Sequence, residues 1–160
     1  MSTNPSKPSA VERLIAESDI NRLIATYVHN LDDGKVEDNA KLLSDARFKV
    51  VDVVVTGEQN IAQFFRNNVR HHKDGTPRTW HTIANTLIEM PSATTASAQS
   101  YFTVHQQADD LRLQPIVAGR YDDSFGLING EWRFVSRAIV PRLFGDVSHH
   151  VIPPAAVATA

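Results

Sequence analysis

From Thr79 onward the chain reads as strand after strand, in four stretches of roughly 79–90, 96–108, 112–126 and 131–140 separated by the short breaks PSATT, QADD and ING. Connections that short join antiparallel neighbours, because a parallel crossover needs a dozen or more residues. The second half is therefore a meander. Asn129-Gly130 is its clearest hairpin turn.

The first half is of a different kind. Between Val11 and Leu31 the apolar residues Leu14, Ile15, Ile20, Leu23, Ile24, Tyr27 and Leu31 recur mostly at three- and four-residue spacing, the period of a helix with one buried face. Ser18 is suited to cap a second segment and Gly34 to stop it. Val36 to Leu43 reads as a short second helix, and RFKVVDVVV from Arg47 to Val55 as one β-branched strand. A third helix runs from Glu58 to Arg70, with Ile61, Phe64, Phe65 and Val69 at helical spacing, and Asp74-Gly75 and Pro77 break the chain after it. This order predicts an α+β fold: a curved antiparallel or mixed sheet wrapped around N-terminal helices, cone-shaped and enclosing a pocket. The expected domain covers 10–150, between a disordered arm at 1–9 and a small-residue tail at 151–160.

Several function classes lack support. Lys and Arg total 16 against 18 Asp and Glu, net charge -2, so there is no basic field to recruit nucleic acid. No segment reaches the roughly 20 apolar residues of a membrane span, and MSTNPSKPSA has no signal-peptide core, which predicts a cytoplasmic protein. The sequence contains no cysteine, excluding disulfides and thiolate chemistry, and its seven glycines form no phosphate loop, so no cofactor is expected. His71-His72 and His149-His150 lack the spacing of metal ligands and are expected at the surface, with His149 and His150 able to close over the pocket mouth. RNNVRHHKDG reads as a solvated helix end.

Alternation assigns faces. Trp132, Phe134, Ser136, Ala138 and Val140 share one face, and the same parity carries Arg142 to the inner rim, leaving Arg133 and Arg137 outside; a bulge at Pro141 would break that parity. His81, Ile83, Asn85 and Leu87 share a face on one strand, and Gln99, Tyr101, Thr103 and His105 on the next. Those faces mix large and polar side chains, as ligand pockets do. The opposite layout, with Phe102 and Val104 inside and His105 outside, satisfies the same alternation.

The helix DINRLIATYVHNLDDGKVED and the segments TWHTIANTLIEM, SYFTVHQQ, GRYDDSF and GEWRFVSRAIV, in that order, resemble the SnoaL-like branch of the nuclear-transport-factor-2-like superfamily. That group includes polyketide cyclases, scytalone dehydratase, bile-acid dehydratase and ketosteroid isomerase. The resemblance implies catalytic roles for Tyr27, Asp32 and His81, with Asp33 as an alternative partner for the histidine. It also implies that His105 falls where scytalone dehydratase has a second histidine, and that Arg142 matches a pocket arginine of bile-acid dehydratase. Asn85 enters only by its face.

An imidazole oriented by a carboxylate is a competent general base near neutral pH. Abstracting a proton beside a carbonyl leaves an enolate, whose charge needs a donor, here Tyr27 or Arg142. Dehydration, isomerisation and cyclisation share that first step. The expected function is a cofactor-independent lyase or isomerase acting on a small hydrophobic cyclic, steroid-like or polyketide-like molecule, which Tyr101, Trp132 and Phe134 help to bind. The alternatives are a non-catalytic binding protein with the same pocket, or the small subunit of a ring-hydroxylating dioxygenase. An apolar outer sheet face, with Phe102, Val104 and Ile116 if the first layout holds, predicts a homodimer.

Overall fold

The computed structural model describes residues 7–153. Most of the expected N-terminal arm (1–6) and most of the tail (154–160) lie outside the described residues. Helix α1 (Ala10–Asp32) begins at a capping box, in which Ser9 accepts from the Glu12 N–H while the Glu12 carboxylate accepts from the Ser9 N–H. The helix is continuous through Ser18, so no second segment starts there. Ile20, Ile24, Tyr27 and Val28 form its buried stripe, whereas Leu14 and Ile15 extend beyond the sheet and are exposed.

Gly34 (φ 71°) turns the chain immediately after α1. It also lies so close to the backbone of Gly75 that a side chain there would collide with it. Helix α2 (Val36–Leu42) follows, and buried Asn39 donates to the Tyr27 carbonyl at 2.9 Å, locking α2 to α1. RFKVVDVVV is not one strand. Val51 takes a left-handed φ of 53°, costly for a β-branched residue, and splits the segment into a hairpin of β1 (Arg47–Val50) and β2 (Val53–Val55). Helix α3 (Glu58–Asn68) then packs Ile61, Ala62 and Phe65 into the core.

Strands β3 (Thr79–Ser92), β4 (Thr95–Ala108), β5 (Leu111–Ile128) and β6 (Glu131–Phe144) form the expected antiparallel meander. Asn129 and Gly130 both have positive φ, 52° and 82°, as a two-residue hairpin of type I′ requires. The six-stranded mixed sheet has the order β2-β1-β6-β5-β4-β3, and β1 joins it by pairing parallel to β6, Phe48 opposite Arg137. Helix α1 touches both β3 at one edge and β6 deep in the sheet, so the sheet bends around it.

Three irregularities decide which side chains enter the concave side. The β3–β4 register shifts between Ala84 and Leu87, where Asn85 has φ 52°. The β5–β6 register shifts between Ser124 and Phe125, leaving Val135 unpaired, and again between Ala118 and Gly119, leaving Arg142 unpaired. Each bulge reverses the alternation beyond it.

Candidate functional site

The end of α1 and the start of β3 meet at one carboxylate. Asp32 Oδ1 lies 2.6 Å from His81 Nδ1 and accepts from the Thr79 hydroxyl at 2.7 Å, and Oδ2 accepts from the His81 backbone N–H at 2.8 Å. A helix C-terminus is a poor place for an anion, and burial further disfavours the charged form. The bonds and charge of His81, aided by Thr79, outweigh that burial and hold Asp32 below its usual range. A carboxylate acceptor at Nδ1 puts the proton there and leaves Nε2 as the basic atom. The two side chains are 5% and 17% exposed, so the pair is largely shielded from water while keeping a path to solvent. Asp33 does not compete, since it turns away to pair with Lys35 at 2.7 Å.

Deeper inside lies a second polar group that alternation hides. Arg137 is 0% exposed, with its guanidinium carbon 4.1 Å from the Tyr27 ring centroid and 4.0 Å from that of Tyr121. Its charge is met by Asp123 at 3.2 Å, but no guanidinium N–H is aligned to hydrogen-bond that carboxylate. The Tyr27 hydroxyl, Ser100 Oγ and both Asp123 oxygens likewise have no hydrogen-bond partner among the described residues. Burial raises both tyrosines well above their ordinary value, so each keeps its proton as a donor. Tyr121 also packs edge-on against Tyr27 and stacks on Phe102, so the two tyrosines enclose the arginine.

The bulges overturn several expected positions. Arg137, expected outside, is inside because the extra residue Val135 shifts parity after Phe134. Arg142, expected at the inner rim, is exposed: it is the extra residue of the next bulge and shares a surface cavity of about 450 Å³ with Tyr101 and Leu143. Asn85 and Leu87 are likewise exposed, because the bulge at Asn85 ends the inward parity that His81 and Ile83 begin.

On β4 the second layout holds. Ser100, Phe102, Val104 and Gln106 are buried, whereas Tyr101 is exposed and His105 shares a cavity of about 460 Å³ with Trp80 and Leu113. Trp132 and Phe134 are buried as expected, but they line a groove of about 530 Å³ against α1 and α2, bordered by Leu23, Thr26 and Lys41, which includes neither Asp32 nor His81. Of the named residues, Asp32 and His81 are brought into direct contact, and Tyr27 lies buried against Arg137 and Tyr121. His149 and His150 are both partly exposed, His149 beside Asp110, whereas His150 turns its Nδ1 inward, where it is buried.

Sequence reasoning did not select Tyr121 and Asp123, placed Arg137 on the outer face, and named His150 only as a surface residue able to close over the pocket mouth. The alternation of Tyr121, Asp123 and Phe125 in GRYDDSF was a usable signal for the first two. Among the described residues, no cluster of three or more His, Asp or Glu side chains is arranged to hold a metal ion, and no helix is long and apolar enough to cross a membrane.

The SnoaL-like domain family matches residues 12–138. No curated protein matches the chain. Among solved structures, a candidate scytalone dehydratase from Novosphingobium aromaticivorans superposes with TM-score 0.71 at 21% identity, covering 94% of this chain and 100% of that one. The β subunit of a candidate aromatic-ring-hydroxylating dioxygenase from the same organism gives 0.67 at 23%, covering 83% and 93%. LinA gives 0.67 at 18%, covering 94% and 97%. At these identities the likeness is one of fold.

Proposed function

The chain belongs to the SnoaL-like domain family, and on that footing we propose that it is a cofactor-independent lyase or isomerase using His81 as general base and Asp32 as its orienting partner. The observation that carries this reading is the 2.6 Å contact between His81 Nδ1 and Asp32 Oδ1 in a site of low exposure. Asp32 fixes the tautomer and stabilises the imidazolium formed when Nε2 takes a carbon-bound proton. The charge left on the substrate oxygen is met by Tyr27, and by Arg137 in place of the expected Arg142; both reserve N–H or O–H groups that no protein atom occupies among the described residues. The substrate is a small hydrophobic cyclic ketone or hydroxyketone of steroid-like or polyketide-like shape, handled in the cytoplasm.

Exchange of the α-protons of α-tetralone in deuterium oxide, followed by NMR, tests the step that dehydration, isomerisation and cyclisation have in common. The wild type should accelerate it, and His81→Ala and Asp32→Asn should each slow it by about a hundredfold or more while keeping the fold. Rates equal to wild type would remove the pair from the mechanism.

A binding role is favoured by a different observation: the groove at Trp132 and Phe134 lies apart from the dyad, so it can hold a molecule without presenting it to His81. The proposal also includes a homodimer. Trp80, Leu87, Tyr101, Leu113 and Leu143 are each more than half exposed on or beside the outer sheet face, a larger apolar surface than a monomer ordinarily leaves wet.

A further inference from the structure

The chain does not end at β6. After Phe144 it folds back against the end of α3, where Val151 bridges to Val69 and the Ile152 N–H donates to the Asn68 carbonyl at 3.0 Å. Gln106 of β4 ties the segment to the loop that leads into β3, donating to the carbonyls of both Pro77 (2.9 Å) and His149 (3.0 Å). His150 itself is held through its backbone on both sides: its N–H donates to the Val147 carbonyl at 3.0 Å, and its carbonyl accepts from the Arg70 N–H at 2.8 Å.

Gln106 stands opposite Thr79 in the sheet, the residue whose hydroxyl holds Asp32, so this anchoring brings the His150 imidazole to the same end of the fold as the dyad, with a buried Nδ1 that has no hydrogen-bond partner among the described residues. Burial above all, then His81, with His71 and His72 adding, lower the His150 ring to about 4 against the opposing pull of Asp32. The ring is therefore neutral near pH 7, with one nitrogen donating and the other accepting. His81 has its carboxylate and His150 has none, so two imidazoles at one site are held in different roles.

We propose that His150 is a substrate-contacting residue, hydrogen-bonding a carbonyl or hydroxyl oxygen of a ligand held at His81. This rests on the reading of His81 and Asp32 as the reactive pair, but concerns recognition instead of proton abstraction. An orphaned polar atom in a shielded site favours ligands that supply the missing partner and rejects those that do not. The ligand class it selects is the oxygenated ring over the plain hydrocarbon.

The test compares α-tetralone with tetralin, which has the same rings and no oxygen. Dissociation constants are measured by ligand-observed NMR for wild type, His150→Ala, His150→Phe and His81→Ala, with thermal melting to confirm that each variant folds. Wild type should bind α-tetralone more tightly than tetralin, and both His150 variants should lose about fivefold to tenfold of α-tetralone affinity, the worth of one hydrogen bond, with tetralin unchanged. In exchange assays the loss should fall on KM, whereas His81→Ala loses kcat.

Equal α-tetralone affinity in wild type and both His150 variants would overturn the assignment, even if His81-dependent exchange persists and the general-base reading stands. An equal loss for both ligands would also overturn it, by showing a packing role. His150-dependent binding without exchange would sink the catalytic reading and leave this one in place. Failure of wild type to bind either compound would overturn both.

Discussion

Arg137 and Asp123 form an ion pair, nitrogen to oxygen 3.2 Å, in which both side chains are 0% exposed. Burial lifts the Asp123 carboxyl to about 6 despite the attraction of Arg137, with Asp122 adding to the rise. An unfolded aspartate titrates near 3.9. The folded protein therefore holds this proton more tightly, so the stabilisation is complete below about 3.9 and is lost as pH rises through about 6. Wild type and Asp123→Asn, compared by urea denaturation across that window, should diverge in an unusual direction: the wild type loses on the order of 3 kcal/mol relative to the variant as pH rises. A difference that stays flat with pH would contradict this account.

Tyr27 separates stability from activity. Its hydroxyl is fully buried and unpartnered among the described residues, so Tyr27→Phe removes a polar group that contributes no bond to the fold. The melting temperature should be unchanged or higher, while α-tetralone exchange falls by roughly tenfold to a hundredfold if the hydroxyl meets the developing oxygen charge. A drop in melting temperature without loss of exchange would assign Tyr27 to the core alone.

Thr79 holds the orienting acid. Its hydroxyl donates to Asp32 at 2.7 Å, and Asp32 sits below its usual range, so it stabilises the fold above the unfolded aspartate value and that stabilisation is lost as pH falls through the depressed folded value. Thr79→Val should cost about 1 kcal/mol at neutral pH, a charged hydrogen bond discounted for partial exposure, and acid unfolding should begin at higher pH. Acid transitions that coincide with wild type would show that His81 alone sets the carboxylate.

The outer face makes the fourth prediction. Leu143 is 70% exposed and Tyr101 55%, and they border one surface cavity. Leu143→Asp together with Tyr101→Lys should convert a micromolar dimer to monomer in sedimentation equilibrium without lowering monomer stability, because neither side chain is buried within the chain. A wild type already monomeric at that concentration would remove the dimer.

Periodicity carried the architecture and failed at single residues, whereas the pairing of Asp32 with His81 came from the family resemblance. The order of elements, the meander and the Asn129-Gly130 turn follow from patterns spread over many residues, each reinforcing the next. Asp32 and His81 were legible through the resemblance of DINRLIATYVHNLDDGKVED and TWHTIANTLIEM to the family, with Asp33 left as an alternative because the helix end could not be placed to the residue. Arg137 and Arg142 were exchanged because one unpaired residue, Val135, inverts every side chain that follows it. Nothing in Val135 announces a bulge, since a β-branched residue suits a regular strand equally well. Asn85 was the opposite case, an asparagine able to adopt positive φ, and its position in TWHTIANTLIEM was itself a sign of irregularity. His150 was expected at the surface, able to close over the pocket mouth; the segment that holds it is fixed by tertiary contacts of His150 with Arg70, Val151 with Val69 and Ile152 with Asn68, which no local pattern in SHHVIPP encodes.

The parallel pairing of β1 with β6 also sets an order of events during synthesis. Phe48 finds its partner at Arg137, so the first strand cannot be docked until nearly the whole domain has left the ribosome. Until then the β1–β2 hairpin has an open edge, and the Tyr27 stripe of α1 lacks the arginine that will lie against it. A nascent chain stalled before β6 would present both to the crowded cell, making late translation the interval in which this protein most depends on chaperones.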